Sequence, residues 1–317
     1  MRFTLLFLIF LSPSLRLGAK NPPLAQQRLA EQLGEKVQRF EMWTDDDGNV
    51  TGLFFINHQA LTKSAGAKPG IDDDDLLKLT SFPKLSALNL ESQPVTDGGL
   101  EVLRRFPNMK QMGFHYMGKA RATFAADRGT PAVSPAFITV IDGMKELEIL
   151  EIKHNFRVDE IAVDKLTGPF PKAWRLVIDT PITAEQTMHL IRLCPCVRDL
   201  QLHRTSITAD QVAEIGELLP KLEVLWFKPR GGNLMPEHLA ALSNFQRLRI
   251  YSPQHFRNEL PFEGGWDALT KLPHLERLEI ESHPASTNRT AINQLKAANP
   301  NLVVAPTLTR SRNYDGL

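Results

Sequence analysis

Few residue patterns in this chain can do chemistry. Cys194-Pro195-Cys196 holds both cysteines of the sequence, and two thiols so close together suggest a redox or metal centre. Alignment to the repeats below separates them. Cys194 matches Phe82, Phe106, Phe170, Leu219 and Leu272, positions that face a core; Cys196 matches Lys84, Asn108, Lys172, Lys221 and His274, positions that face water. Neighbours pointing apart do not satisfy disulfide geometry, so two thiols are expected, one buried and one accessible. Asp45-Asp46-Asp47-Gly48-Asn49 offers carboxylates to calcium but lacks the alternate ligands and distal Glu of a calcium loop. Glycine with Asn/Asp predicts a hairpin turn instead. The nine histidines are scattered, and no Gly-x-Ser-x-Gly, phosphate loop or paired-cysteine zinc pattern occurs. Gly231-Gly232 and Gly264-Gly265 read as turns, and the carboxylates are spread too evenly to nominate an acid/base pair. The reading is therefore no catalytic residue, no metal ligand and no cofactor.

The elements that would position a site are repeats. Val197-x-x-Leu200-x-Leu202 recurs as Leu222-x-x-Leu225-x-Phe227 after 25 residues. The same apolar-x-x-apolar-x-apolar template matches at Val50/Leu53/Phe55, Leu85/Leu88/Leu90, Met109/Met112/Phe114, Leu147/Leu150/Ile152, Ala173/Leu176/Ile178, Phe245/Leu248/Ile250 and Leu275/Leu278/Ile280, with a degenerate copy from Leu302. From Leu85 the steps are 24, 38, 26, 24, 25, 23, 30 and 27 residues. Proline stands two residues before most copies (Pro83, Pro107, Pro171, Pro195, Pro220, Pro273, Pro300), where it stops a helix and turns the chain. Each strand leads to a helix. Thr96, Thr183 and Thr208 are expected N-caps, with Gln186 and Gln211 completing capping boxes. Neither half of such a unit buries its apolar face alone, so the units must stack.

The ends differ. Met1-Arg2, the apolar run Phe3–Leu11 and the exit Leu17-Gly18-Ala19 predict a secretory signal peptide over 1–19, with an uncleaved anchor as the alternative. The signal segment predicts export, with the chain secreted, periplasmic or cell-surface; no second apolar run is long enough to span a bilayer, so the mature chain is expected to be soluble. A helix and capping strand follow over 20–49, the repeats occupy 50–305, and 306–317 forms a tail. A formal net charge of +1 argues against a general nucleic-acid binder but leaves local patches open. Asp72 to Asp75 belong at a helix start, where the dipole favours them. Insertions at Asn57–Ile71, Tyr116–Pro135 and Ser252–Gly265 map to loops that serve binding or spacing. Asn49-Val50-Thr51 and Asn288-Arg289-Thr290 fit the glycosylation acceptor pattern.

Leu-x-x-Leu-x-Leu, the Thr-capped helix and the Leu-Pro corner resemble leucine-rich repeats, in particular the ribonuclease-inhibitor-like or cysteine-containing subclass common among exported bacterial proteins. The resemblance covers roughly Val50 to Val304. It implies an α/β, right-handed horseshoe solenoid of about nine to ten repeats, with an inner parallel sheet and outer helices. It further implies a monomeric, non-catalytic binder of a protein partner, or of a glycan, through the concave face and insertions. The competing readings are an intracellular F-box-like adaptor and a hydrolase on a repeat scaffold. The positions alternate to the template point outward, which gives the triplets Asp199/Gln201/His203, Val224/Trp226/Lys228, Arg247/Arg249/Tyr251 and Arg277/Glu279/Glu281. His203, Trp226, Lys228, Arg247, Arg249 and Tyr251 form the expected binding patch, with Trp226 an exposed indole at its centre. The alternative is that Arg249 pairs with Glu279 and stacks on Trp226, closing the surface on itself.

Overall fold

The computed structural model describes residues 22–57, 68–117, 133–153, 161–229, 234–253, 267–280 and 289–306. The expected signal peptide, the greater part of the three insertions, Asn288 and the tail beyond 306 lie outside them. Eleven strands form one sheet in chain order. They are β1 (Arg39–Thr44), β2 (Val50–Ile56), β3 (Ala87–Glu91), β4 (Gln111–His115), β5 (Ile149–Lys153), β6 (Arg175–Asp179), β7 (Asp199–Thr205), β8 (Val224–Pro229), β9 (Ile250–Pro253), β10 (Arg277–Ile280) and β11 (Val303–Pro306). β1 runs antiparallel to β2, and every later pair is parallel.

The template residues explain the sheet. Leu53, Leu88, Met112, Leu150, Leu176, Leu200 and Leu225 are successive partners across the strands, and all are buried. Phe55, Leu90, Phe114, Ile152, Ile178, Leu202 and Phe227 form a second buried column. Burying a side chain of this size contributes about 1.5–3 kcal/mol, and each column shares one core cluster with the outer helices. Those helices are α1 (Leu24–Glu35), α2 (Asp73–Lys78), α3 (Asp97–Leu100), α4 (Ala184–Leu193), α5 (Ala209–Leu218), α6 (Pro236–Ala241), α7 (Asp267–Thr270) and α8 (Arg289–Ala298). The architecture is an open α/β leucine-rich-repeat solenoid.

Local chemistry sets the element ends. Thr183 and Thr208 accept from the backbone N–H of Gln186 and Gln211, at 3.1 and 3.3 Å, while each Gln side chain accepts from its Thr N–H at 3.0 Å. Thr96 caps α3 by accepting from Gly99 N–H. Asp72 and Asp75 make the same reciprocal box on α2, and buried Asp75 also binds Lys78 at 2.8 Å. The β1–β2 hairpin is closed by Asp45, whose Oδ1 accepts from the N–H groups of Asp47 (3.1 Å) and Asn49 (2.8 Å). Gly48 supplies the left-handed residue there, with φ 82. Cys194 is buried and Cys196 partly exposed, both as free thiols. Burial pushes the Cys194 thiol up to about 12, which makes it a packing residue.

Departures from the template are of three kinds. β4 and β5 lead, among the described residues, to the 3-10 segments Pro135–Ile141 and Val163–Lys165 rather than to α-helices. The last copy is one residue short at its corner, so Val304 rather than Ala305 lies opposite Leu278. The third departure moves a predicted site. Tyr251, expected to point outward, pairs with Leu225 on one side and Leu278 on the other and is wholly buried in the core column. Phe245 is therefore the corner residue, equivalent to Leu219, and Leu248 begins the copy. With that alignment the irregular steps of 23 and 30 become 26 and 27.

Packing Tyr251 into the leucine column leaves its hydroxyl buried without a hydrogen-bond partner among the described residues. Tyr251→Ala should lower the unfolding free energy by about 3–5 kcal/mol. Tyr251→Phe should leave it unchanged or raise it, because removing an unpaired buried hydroxyl lifts a desolvation cost. Urea unfolding of both variants checks the pair; a loss in Tyr251→Phe as large as in Tyr251→Ala would contradict this placement.

Candidate functional site

Alternation along each strand turns every second side chain away from the helices. This helix-free face has three columns. The first runs Gly52, Ala87, Gln111, Ile149, Arg175, Asp199, Val224 and Ile250; the second runs Phe54, Asn89, Gly113, Glu151, Val177, Gln201, Trp226 and Ser252; the third runs Ile56, Glu91, His115, Lys153, Asp179, His203 and Lys228.

The centre of the face is a chain of ion pairs. His115 on β4 lies between two carboxylates, with Nδ1 at 3.4 Å from Glu91 Oε2 and Nε2 at 3.2 Å from Glu151 Oε2. Lys153 donates to Glu151 at 2.7 Å. Arg175 reaches Glu151 at 3.3 Å and Asp199 at 3.6 Å, and Gln201 donates to Asp199 at 3.4 Å. Five strands are thus tied together by groups that are mostly buried. Burial alone would raise the Glu151 carboxyl; the hydrogen bond from His115 and the charges of Lys153 and Arg175 overcome it and hold the group well below the usual carboxylate range. Both His115 nitrogens face carboxylates, so neither is presented to a substrate.

At the end of β7 the backbone breaks register between His203 and Thr205. Arg204 there takes a left-handed conformation, φ 60, a bulge that re-aims its side chain. Its guanidinium donates to Asp179 Oδ1 at 2.9 Å from Nε and to the Asp179 carbonyl at 2.9 Å. His203 Nδ1 sits 3.8 Å from the same carboxylate.

Next to this group the imidazole of His203 stacks on the indole of Trp226, with centroids 6.4 Å apart and planes 11° from parallel. The placement of Trp226 differs from expectation. The indole is 6% exposed, because Ser252 on the next strand leaves room for it to lie down. Truncating it to alanine therefore removes packing, at about 3–5 kcal/mol, rather than an idle surface group. One ring nitrogen of each residue remains unsatisfied: Trp226 Nε1 and His203 Nε2 are buried with no hydrogen-bond partner among the described residues. Lys228 pairs in register with His203.

The expected six-residue patch is therefore divided. His203, Trp226 and Lys228 come together on adjacent strands. Arg247 and Arg249 lie at the corner before β9, where Arg249 N–H donates to the Glu223 carbonyl. Arg249 pairs with Glu276 at 2.9 Å and Glu223 at 3.6 Å, not with Glu279, whose carboxylate accepts from Arg277 at 2.7 Å. Tyr251 is in the core. The residues missed by the sequence reading are Glu91, His115, Glu151, Lys153, Arg175 and Asp179. Their signal was present, since the same alternation extends through β3 to β6. Among the described residues no group of three or more His, Cys, Asp or Glu side chains is arranged to hold a metal ion.

No protein-family model and no curated protein matches the sequence. Among solved structures, an internalin from Listeria monocytogenes is similar over 89% of this chain and 75% of its own, at 13% identity and a TM-score of 0.44. A likeness at that level decides nothing about function, and the fold follows from the strand order and register above.

The ion-pair chain has a pH consequence. A carboxyl whose folded pKa lies below its unfolded value adds stability above the unfolded value and loses it as pH falls through the folded one. Glu151 is such a group, so its contribution should be complete at neutral pH and fade below about pH 4.5, its ordinary value. Glu151→Gln should cost about 3 kcal/mol at pH 7, because Arg175 and Lys153 lose a buried partner, and should flatten the acid limb of the stability curve. Chemical denaturation from pH 7 to pH 3 tests this; an acid limb as steep as in the parent protein would refute it.

Proposed function

We propose that this chain is a non-catalytic repeat protein of the ribonuclease-inhibitor-like leucine-rich kind, exported by its N-terminal apolar segment, that recognises another protein through the β7–β8 end of its helix-free face and the adjoining insertions. The observation that carries the reading is the contrast across that face. From β3 to β7 the charged groups are joined in a chain of ion pairs, with Asn89 Oδ1 a neutral atom there that is also buried without a hydrogen-bond partner among the described residues. At His203 and Trp226 two ring nitrogens are left unsatisfied, each at a cost of about 1–3 kcal/mol. Both atoms are buried, so a partner recovers that cost when its docking turns the rings outward to meet its hydrogen-bonding groups, and Trp with a neighbouring cation is a composition typical of binding hot spots. Among the described residues no helix is long and apolar enough to cross a membrane.

The test is site-resolved capture. A photo-crosslinking residue at position 228 should trap one protein from the native compartment, whereas the same residue at Glu217, exposed on α5, should not. Equal capture at the two positions, or capture at 217 alone, would remove the helix-free face as the recognition surface.

A further inference from the structure

The corners that lead from helix to strand carry charge unevenly. Between 166 and 276 the five corners hold Lys172, Arg198, Lys221, Arg247, Arg249 and Lys271 against Glu223 and Glu276, although the whole chain has a formal net charge of only +1. Backbone bonds stack these corners one on the next: Arg198 N–H donates to the Trp174 carbonyl, Glu223 to Arg198, Arg249 to Glu223 and Glu276 to Arg249. The stacked positions themselves alternate in sign, whereas Lys221 and Arg247 hold equivalent places on adjacent corners, about one strand spacing of 4.8 Å apart along one rim of the solenoid.

Pairing within the rim is incomplete. Arg249 engages both Glu223 and Glu276, and Lys172 engages Glu146 at 2.5 Å. Arg198, Lys221, Arg247 and Lys271 are exposed and have no ion pair among the described residues. An open groove of about 390 Å³, lined by Glu223, Arg247, Arg249, His274 and Glu276, lies in the same rim.

We propose that this rim is a second binding surface, separate from the helix-free face, and that it takes a linear acidic polysaccharide bearing uronate or sulfate groups. Four cations on successive corners match a polymer with a charge on each sugar. A protein partner needs buried apolar or aromatic anchors at the centre of its interface, and among the described residues the rim offers only half-buried Trp174 at its margin. A single-stranded nucleic acid needs a series of aromatic rings on which bases stack, and among the described residues the rim has no such series. What remains is a ligand read by charge and hydroxyl groups. Its attraction follows the counterion-release physics of polyanions generally.

The test uses the full chain with heparin and polygalacturonate as probes, and with a single-stranded oligonucleotide and poly-glutamate of matched charge as competing classes. At least one polysaccharide should bind more tightly than either competitor, with log affinity falling linearly against log salt. The double reversal Lys221→Glu with Arg247→Glu should weaken binding at least tenfold and reduce the salt slope by about two. Circular dichroism should show it folded, since both side chains are exposed. Reversal of Arg28 and Lys296, exposed cations on α1 and α8, should change neither, and Lys228→Ala should leave polysaccharide binding intact. The proposal is overturned by absence of polysaccharide binding, by survival of binding in the rim reversal, or by tighter binding of the oligonucleotide or poly-glutamate. Loss of capture at position 228 alone bears on the protein-binding reading and leaves the rim untouched.

Discussion

A five-residue strand followed by a short helix cannot bury its own apolar face, so Leu88, Met112, Leu150, Leu176, Leu200 and Leu225 are stable only when placed directly against one another across strands. Parallel pairing at constant register achieves this placement. A slip of one residue would send every core side chain to the opposite face. Insertions and shortened corners are tolerated because they leave the register intact. The β9 copy shows how strong the constraint is: it recruits a tyrosine into the leucine column, with its hydroxyl unsatisfied, rather than shift the strand.

The same register organises the other face. Because strand neighbours are locked, a carboxylate on β5 is held between a histidine on β4 and an arginine on β6, and the resulting chain of charges is buried and paired. Pairs of this kind add little net stability over apolar packing of equal volume, but removing one member is costly. Here they would penalise any slip of β3 to β7 that juxtaposes like charges, so they reinforce the register that the leucine columns set.

Surface chemistry is distributed accordingly. In the middle of the helix-free face the charged groups pair with one another, its β7–β8 end retains unsatisfied ring nitrogens, and the helix-to-strand rim retains exposed cations. These regions differ in what would recognise them: hydrogen-bond acceptors beside a stacked aromatic pair in one case, and a repeating negative charge in the other. Each arises from positions that the core leaves unconstrained, since template residues occupy the inward sites of every copy.

The sequence by itself determined the repeat unit, the Thr and Asp caps, the Asp45 hairpin and the burial of Cys194 over Cys196. Those features depend on residues a few positions apart, where helical and strand periods and capping chemistry act locally. The parallel order of the strands followed from the same period, because each copy must stack on its neighbour. What tertiary structure alone decided was which outward residues meet across some 25 residues of chain. His115 finds Glu151, Trp226 lies down beside Ser252, Arg249 turns to Glu276, and Tyr251 faces inward. The last was partly legible in the uneven 23 and 30 residue steps, but choosing between Phe245 and Leu248 as the start of the copy requires knowing what β8 and β10 present to it. Contacts between strands depend on register, and register is settled by the whole stack.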